Sequence, residues 1–381
     1  MKAKDVRVIE CSQAIAKAVK LCKPGVIAAY PITPQTHIVE RLADFVADGL
    51  LNAEYINVES EHSAMSACIG AQASGVRTFT ATNSQGLALM SEMLFITSGL
   101  RLPVVMAITN RAMSAPINIW GDHSDSIAQR DSGWIQLYCE SSQEAYDTII
   151  QAYRISEKVL LPSMVCVDGF TLSHVWEPVE LLNQKEADSF LPKYNPKYKL
   201  DPSKPITMGP IVMPESYMFF KKQQHDAAMK AINVIKNTNA QFAKKFGRSY
   251  GDGLIETYKL EGANKAIVAM GSVCGTMRTV IDSLRKKGQK IGMLKIKCFR
   301  PFPTDDLIRI CKNLRGLAVI DRDISIGNAG ALFTEIKAAL RNQQFKINNF
   351  IAGLGGRDIT PDMLIKALSR IGQHREVDWL F

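Results

Sequence analysis

No run in this 381-residue sequence approaches the ~18 consecutive apolar residues of a membrane span, so a membrane protein is not expected. The opening residues, MKAKDVRVIECSQ, hold no apolar segment of the secretory kind, and a cytoplasmic address is the resulting expectation. The eight cysteines include no C-x-x-C pair, which excludes the usual zinc-finger and iron–sulfur spacings. Most sit inside apolar stretches, as buried free thiols of a reducing compartment do. Six histidines supply no H-x-x-x-H or H-x-H pair, and no metal ligands are expected in this chain. The formal net charge of +9 admits an acidic partner, yet the basic residues are scattered and not interleaved with aromatics. Nucleic-acid binding is therefore not expected.

What is present is the material of an ordinary α/β protein: 46% hydrophobic residues, 22% charged, and length enough for two domains. Short apolar runs alternate with helically spaced segments, the pattern of a doubly wound parallel sheet. A helix over 8–22 leads to a strand at 26–30, a helix after Thr36, a strand at 56–60 and a helix at 61–74. A strand at 77–82, an apolar helix to about 98, a strand at 104–109, a helix at 143–158 and a strand at 164–168 follow. Residues 175–216 carry seven prolines and little periodicity, and read as an extended connector before a long helix over 217–246. A second α/β pattern begins near 265, with strands at 266–270, 291–296, 317–320 and 350–352. The expected organisation is 1–174, 175–260 and 261–381.

The stretch Val58–Gly75 puts Glu61 in the first turn of a helix where Ala64, Ala67, Gly70 and Ala73 recur. Such small residues admit a neighbouring helix or a flat ligand; the plainer account is a tightly packed core helix whose acid the dipole favours. Each loop of interest follows a strand's C-terminus, the edge at which α/β sheets bind ligands. Pro31-Ile32-Thr33-Pro34 is stiffened by its prolines, with Thr36 or Thr33 available to cap the next helix. Arg111 suits bidentate binding of a carboxylate or phosphate, or equally a surface ion pair. Asp122-His123-Ser124-Asp125 offers a histidine with acids, but no G-x-S-x-G elbow supplies a nucleophile, so loop ordering or a subunit contact is the better reading. Gly271–Gly275 reads as a tight strand-to-helix turn, and Arg300-Pro301-Phe302-Pro303 as a stiff packing or subunit-contact loop.

Taken together, YPITPQT (30–36), ESEHSAMSACIGAQASG (59–75), TNSQGL (82–87), TNRA (109–112) and GDHSD (121–125) resemble the α subunit of 2-oxoacid:ferredoxin oxidoreductases of the pyruvate:ferredoxin oxidoreductase type. The likeness spans nearly the whole chain, including the proline-rich connector and the FRPFP segment. It implies a first domain similar to the pyrimidine-binding domain of thiamine-diphosphate enzymes and a second similar to the transketolase C-terminal domain. It also implies half an active site. The diphosphate and Mg²⁺ belong to a separate β subunit, which suits Gly251-Asp252-Gly253: that tripeptide looks like the opening of the magnesium motif but lacks the downstream Asn, and reads as a turn. [4Fe-4S] clusters would lie in partner subunits, with none in this chain, and ferredoxin-like δ and γ subunits would complete the assembly.

On the same resemblance, Glu61 is the partner of N1′ of the aminopyrimidine, favouring the imino tautomer whose N4′ takes the proton from thiazolium C2. Glu59 is its rival, ranked second because it falls within the predicted strand and outside the E-x-x-A-x-x-A-x-x-G phase. Thr33 is implied to hydrogen-bond the 2-oxoacid and Arg111 to hold its carboxylate or oxo group, with Pro31, Ile32 and Gln85 at the cofactor. The implied reaction converts a 2-oxoacid, pyruvate first, and coenzyme A into acyl-CoA and CO₂, passing single electrons to the clusters and then to ferredoxin or another acceptor. Branched or aryl 2-oxoacids are alternatives. Two other readings are the β subunit of a 2-oxoacid dehydrogenase E1 and a non-catalytic protein whose sheet edge holds an anion. The YPITP loop, the TNRA…GDHSD segment and the connector favour the first reading over the E1 β subunit. Glu61, Thr33 and Arg111 together argue against the non-catalytic one.

Overall fold

A computed structural model of the chain describes residues 5–373 and 376–381. The first half supplies strands β1 (Asp5–Glu10), β2 (Val26–Ala29), β3 (Glu54–Asn57), β4 (Thr78–Thr82), β5 (Val105–Asn110), β6 (Ile135–Tyr138), β7 (Ser163–Asp168) and β8 (Trp176–Leu181). Between them run helices α1 (Cys11–Cys22), α2 (Thr36–Ala47), α3 (Glu61–Ala73), α4 (Ser84–Leu89), α5 (Ser91–Gly99), α6 (Ser124–Ala128) and α7 (Ser142–Val159), with α8 (Gln184–Phe190) and the long α9 (Pro214–Phe246) after β8. The second half supplies β9 (Ile255–Tyr258), β10 (Lys265–Ala269), β11 (Ile291–Ile296), β12 (Cys298–Arg300), β13 (Gly316–Asp321), β14 (Lys346–Ile351) and β15 (Val377–Trp379). Its helices are α10 (Val273–Lys286), α11 (Thr304–Cys311), α12 (Ala331–Ala339) and α13 (Pro361–Ser369).

The larger sheet has the order β12-β6-β7-β5-β4-β2-β3 and is parallel except for β12. β4, β5 and β7 are buried along their whole length, as strands covered on both faces must be. One face packs on α1, α2 and α7, the other on α3, α4 and α5. After β3 the chain crosses back over β2, and β4 pairs on its other side. The order reverses there, which opens a crevice at the carboxyl ends of β2 and β4. The smaller sheet, β15-β14-β13-β10-β11-β9, repeats the design, with its own reversal between β10 and β13. Among the described residues, no helix is long and apolar enough to cross a membrane.

Several expected elements move. Residues 8–10 do not begin the first helix: they end β1, which pairs antiparallel with β8 from Asp5↔Leu181 to Glu10↔Trp176. The alternation in DVRVIE is a period-two signal overshadowed by the helical phase that starts at Cys11. The connector is correspondingly less irregular, since it holds β8 and a helix with a full Asn183/Glu186 capping box. β3 ends at Asn57 and not at residue 60. Four short strands, β6, β9, β12 and β15, were not expected. β12 belongs to the second half, yet Cys298 pairs with Leu137 at the edge of the first sheet.

The halves are joined through charge as well as core. Lys295 Nζ lies 2.7 Å from Glu144 and 3.0 Å from Glu140, and Lys297 Nζ 2.7 Å from Glu144. Burial works against the Glu144 carboxylate, but the two lysines outweigh it and hold its pKa at about 2. A pair buried this deeply costs much to desolvate, so its chief consequence is that neither partner can be removed alone.

Candidate active site

Four adjacent strands deliver the expected residues to one edge. Thr33 lies in the loop after β2, Glu61 at the start of the helix after β3, Gln85 after β4 and Arg111 directly after β5. Glu61 opens α3 because Ser60 is extended and its hydroxyl accepts the Ser63 amide at 3.2 Å. The Glu61 side chain is buried, 6% exposed. Glu59 is not in a strand, so that ground for ranking it second falls away; it is exposed and its carboxylate takes the Ser63 hydroxyl. The small-residue series winds from buried Ala64 to exposed Gly70, where an added Cβ would meet nothing within 4 Å.

The close approach to Glu61 comes from α4. A Cβ on Gly86 would sit 2.4 Å from Glu61 Oε1 and 2.5 Å from Thr82 Oγ1. Gly86 is therefore the floor against which the carboxyl rests, and its lack of a side chain is a packing requirement. An isolated glycine inside an apolar helix was the available signal for it. Beside this floor, Thr82 Oγ1 and Gln85 Nε2 are buried without a hydrogen-bond partner among the described residues, whereas Gln85 Oε1 accepts from Ser84 Oγ at 2.5 Å. Buried polar atoms in a folded protein are normally paired, so these two mark a place where a polar ligand belongs.

On the other side of the crevice, Arg111 and Thr33 meet directly. Arg111 Nη1 donates to the Thr33 carbonyl at 2.9 Å and Nε to the Asn118 carbonyl at 3.2 Å. Two backbone anchors fix the guanidinium plane and leave Nη2 for a ligand. Burial lowers the Arg111 pKa, while the Asp125 charge works in the other direction. Thr33 itself is exposed and no hydrogen bond among the described residues engages its hydroxyl. Neither Thr33 nor Thr36 caps α2: the cap position is Gln35, which has no capping side chain. Gln35 instead donates from Nε2 to the Ala81 carbonyl at 2.6 Å, tying the proline loop to β4. Pro31 is exposed and Ile32 half-buried, with the Ile32 carbonyl 3.5 Å from Asn83 Nδ2.

Asp125 holds these loops in register. Its carboxylate accepts from the amides of Ser84 (2.9 Å), Arg111 (3.0 Å) and Ser126 (2.7 Å), and from Asn110 Nδ2 (2.7 Å). Burial pushes the Asp125 carboxyl above the usual carboxylate range, and the four donors oppose that push. His123 forms no triad. Its Nε2 lies 2.5 Å from Asp168 Oδ1, and the Ser124 hydroxyl goes to Asp122. Asp168 also takes Arg322 Nη1 at 3.0 Å and the Ser272 amide at 2.8 Å, so this cluster bolts the loop between the two sheets. Gly251–Gly253 forms a turn in which Asp252 Oδ1 accepts the Leu254 and Ile255 amides, both at 2.9 Å.

Comparison with known proteins places this geometry in context. A family profile described as pyruvate flavodoxin/ferredoxin oxidoreductase, thiamine-diphosphate-binding, matches residues 17–240, and one described as pyruvate:ferredoxin oxidoreductase core domain II matches 263–364. Pyruvate synthase subunit PorA of Methanocaldococcus jannaschii is 57% identical over 94% of this chain and 92% of its own. Ketoisovalerate oxidoreductase subunit VorA of Pyrococcus horikoshii is 46% identical over 93% of this chain and 90% of its own. The fold resembles a solved 2-oxoglutarate:ferredoxin oxidoreductase of Magnetococcus marinus, with a TM-score of 0.74 at 18% identity, over 97% of this chain and 66% of that one.

Proposed function

The chain belongs to the pyruvate flavodoxin/ferredoxin oxidoreductase family, and on that premise we propose that its crevice is the pyrimidine end of a thiamine-diphosphate site that a second subunit completes. It is an α subunit of a 2-oxoacid:ferredoxin oxidoreductase, acting in the oxidation of pyruvate with transfer of electrons to ferredoxin. The observation that carries the site assignment is the buried Glu61 carboxyl on its Gly86 floor, beside the unpartnered Thr82 and Gln85 atoms. A buried carboxyl, a cradle with no side chain and two free polar atoms fit a flat, nitrogen-rich ring.

Thiamine diphosphate, when bound, supplies the nucleophilic carbon that attacks the 2-oxo group and takes up the electrons of decarboxylation. Glu61 holds a proton at the ring nitrogen N1′, a role its position at the head of α3 and its burial support. Gln85 and the Pro31–Ile32 turn line the ring. Arg111, with one guanidinium edge anchored on Thr33 and Asn118, offers Nη2 to the substrate carboxylate, and the free Thr33 hydroxyl hydrogen-bonds the substrate beside it.

A β subunit would hold the diphosphate and Mg²⁺. The exposed Tyr30, Ile117 and Trp120 on the loops after β2 and β5, with Leu89 and Phe95 on α4 and α5, suit such a partner. Ferredoxin-like δ and γ subunits would complete the assembly, [4Fe-4S] clusters would lie in the partner subunits, and coenzyme A would receive the acyl group. Free, buried cysteines suit a cytoplasmic setting. Pyruvate is the substrate of choice, because relatives named for pyruvate reach 57% identity against 46% for one named for ketoisovalerate. In the assembled enzyme, kcat/KM for coenzyme-A-dependent viologen reduction should be at least tenfold higher with pyruvate than with 3-methyl-2-oxobutanoate. The reverse preference would overturn the substrate assignment and keep the site.

A further inference from the structure

Glu10, His37 and His174 lie 27 to 164 positions apart in sequence, which is why no spacing signal announced them. The fold brings one donor atom from each to within 4.8 Å of the others. Glu10 closes β1, His37 is in the first turn of α2, and His174 lies in the turn after β7. His37 Nδ1 is 2.8 Å from Glu10 Oε1, and the two imidazole rings are 4.5 Å apart between centroids. Ligands of a tetrahedral zinc ion, at about 2.0–2.1 Å from the metal, stand about 3.3 Å from one another. The observed separations bracket that value, so closure needs small rotations of partly exposed rings and no backbone movement.

The backbone around the cluster is already locked. The Cys11 amide donates to the Val175 carbonyl at 3.1 Å, and the Ser12 amide and hydroxyl both donate to the Ser173 carbonyl, at 3.0 and 2.8 Å. Ser173 Oγ accepts the Phe170 amide at 2.9 Å and meets His174 Nδ1 at 2.8 Å. That contact holds one ring nitrogen and leaves Nε2 free, the second-contact arrangement that orients metal-binding imidazoles. The Glu10 carboxylate, 8% exposed, otherwise faces two imidazoles with a single hydrogen bond between them.

We propose that Glu10, His37 and His174 form a binding site for one divalent transition-metal cation of the zinc class. Two imidazoles and one carboxylate are a borderline-soft donor set that suits zinc over calcium or magnesium. With three protein ligands and His37 43% exposed, the fourth position opens to solvent. The ion ties the start of α1 and the exit of β7 to the first turn of α2, directly behind the loop that carries Thr33.

The test titrates Zn²⁺ alone into the chelator-stripped full chain, in competition with a chromophoric chelator, and follows the melting temperature in parallel. One equivalent should bind at about micromolar Kd or tighter. H37Q and H174Q should each weaken it at least tenfold, E10Q should weaken it measurably, and H225Q on exposed α9 should leave it unchanged. Zn²⁺ should raise the melting temperature of the wild type and of neither histidine variant, whose metal-free melting temperatures report whether they fold. Should either fail to fold, H37N and H174N repeat the comparison. Binding no tighter in the wild type than in the H37Q/H174Q double variant overturns the proposal, as does binding that survives in E10Q, H37Q and H174Q alike.

Discussion

Replacing Gly86 by alanine tests the Glu61 site without touching a group that reacts. The position is in α4 with an ordinary helical backbone, so alanine adds helix propensity of about 1 kcal/mol and the chain should fold at least as well. The new methyl, however, falls 2.4 Å from Glu61 Oε1, 2.8 Å from its Cδ and 2.5 Å from Thr82 Oγ1, where ordinary contact begins at 3.4 Å. Thr82 can turn its hydroxyl away by rotating χ1. The carboxyl must retreat by about 1 Å to reach ordinary contact with the new methyl. A displacement of that size at a positioned catalytic group costs on the order of 10²-fold in rate, or about 2.7 kcal/mol. The assay is pyruvate- and coenzyme-A-dependent viologen reduction by the assembled enzyme, with a melting curve for each preparation. We expect kcat to fall about a hundredfold with melting temperature unchanged or raised. Alanine at Gly275, also helical and with nothing within 4 Å of its Cβ, is the control: it should leave kcat alone and the melting temperature unchanged or raised. Wild-type kcat in a folded G86A enzyme would refute the reasoning, because the carboxyl would then not need the place that Gly86 leaves for it.

Arg111→Lys keeps the charge but cannot keep both carbonyl anchors, so KM for pyruvate should rise about 10- to 100-fold with a smaller change in kcat; a steady-state comparison that moved only kcat would contradict a substrate-holding role. The Glu144 pKa falls from 4.5 in the unfolded chain to about 2 in the folded one, so its contribution is complete above pH 4.5 and is lost as pH drops toward 2. That difference corresponds to roughly 3 kcal/mol. Urea titrations across this range should show a stability loss that is absent in a K295M/E144L/K297M variant, and an identical pH profile in that variant would remove the lysine pair as its cause.

The parallel strands at the centre of each sheet were legible because burial on both faces demands short unbroken apolar runs, as in Val105–Asn110 and Ser163–Asp168. Edge pairings were not. β12 adds to β6 across the domain joint, and β1 pairs with β8 over the length of the first domain, so nothing local in Cys298–Arg300 or Trp176–Leu181 announces a partner. The same limit applies to the crevice. A loop after each strand end could be placed, and with it Thr33, Gln85 and Arg111. The physical contacts could not: Gly86 against Glu61, Gln35 on the Ala81 carbonyl and the Ser84 amide on Asp125 each join residues from different strand ends. Arg111 shows the difference most plainly. Its type suggested an anion-binding charge or a surface ion pair, and the fold shows a charge half spent on orienting itself.

The account rests on Glu61 holding a proton at the cofactor's pyrimidine ring. The most direct measurement is the rate at which the C2 proton of bound thiamine diphosphate exchanges with D₂O in the assembled complex, wild type against Glu61→Gln, with cofactor binding checked in each. Positioned acid–base groups contribute about 10²–10⁴-fold, so exchange should slow by that factor while the cofactor stays bound. Exchange at the wild-type rate in the glutamine variant would contradict the assignment.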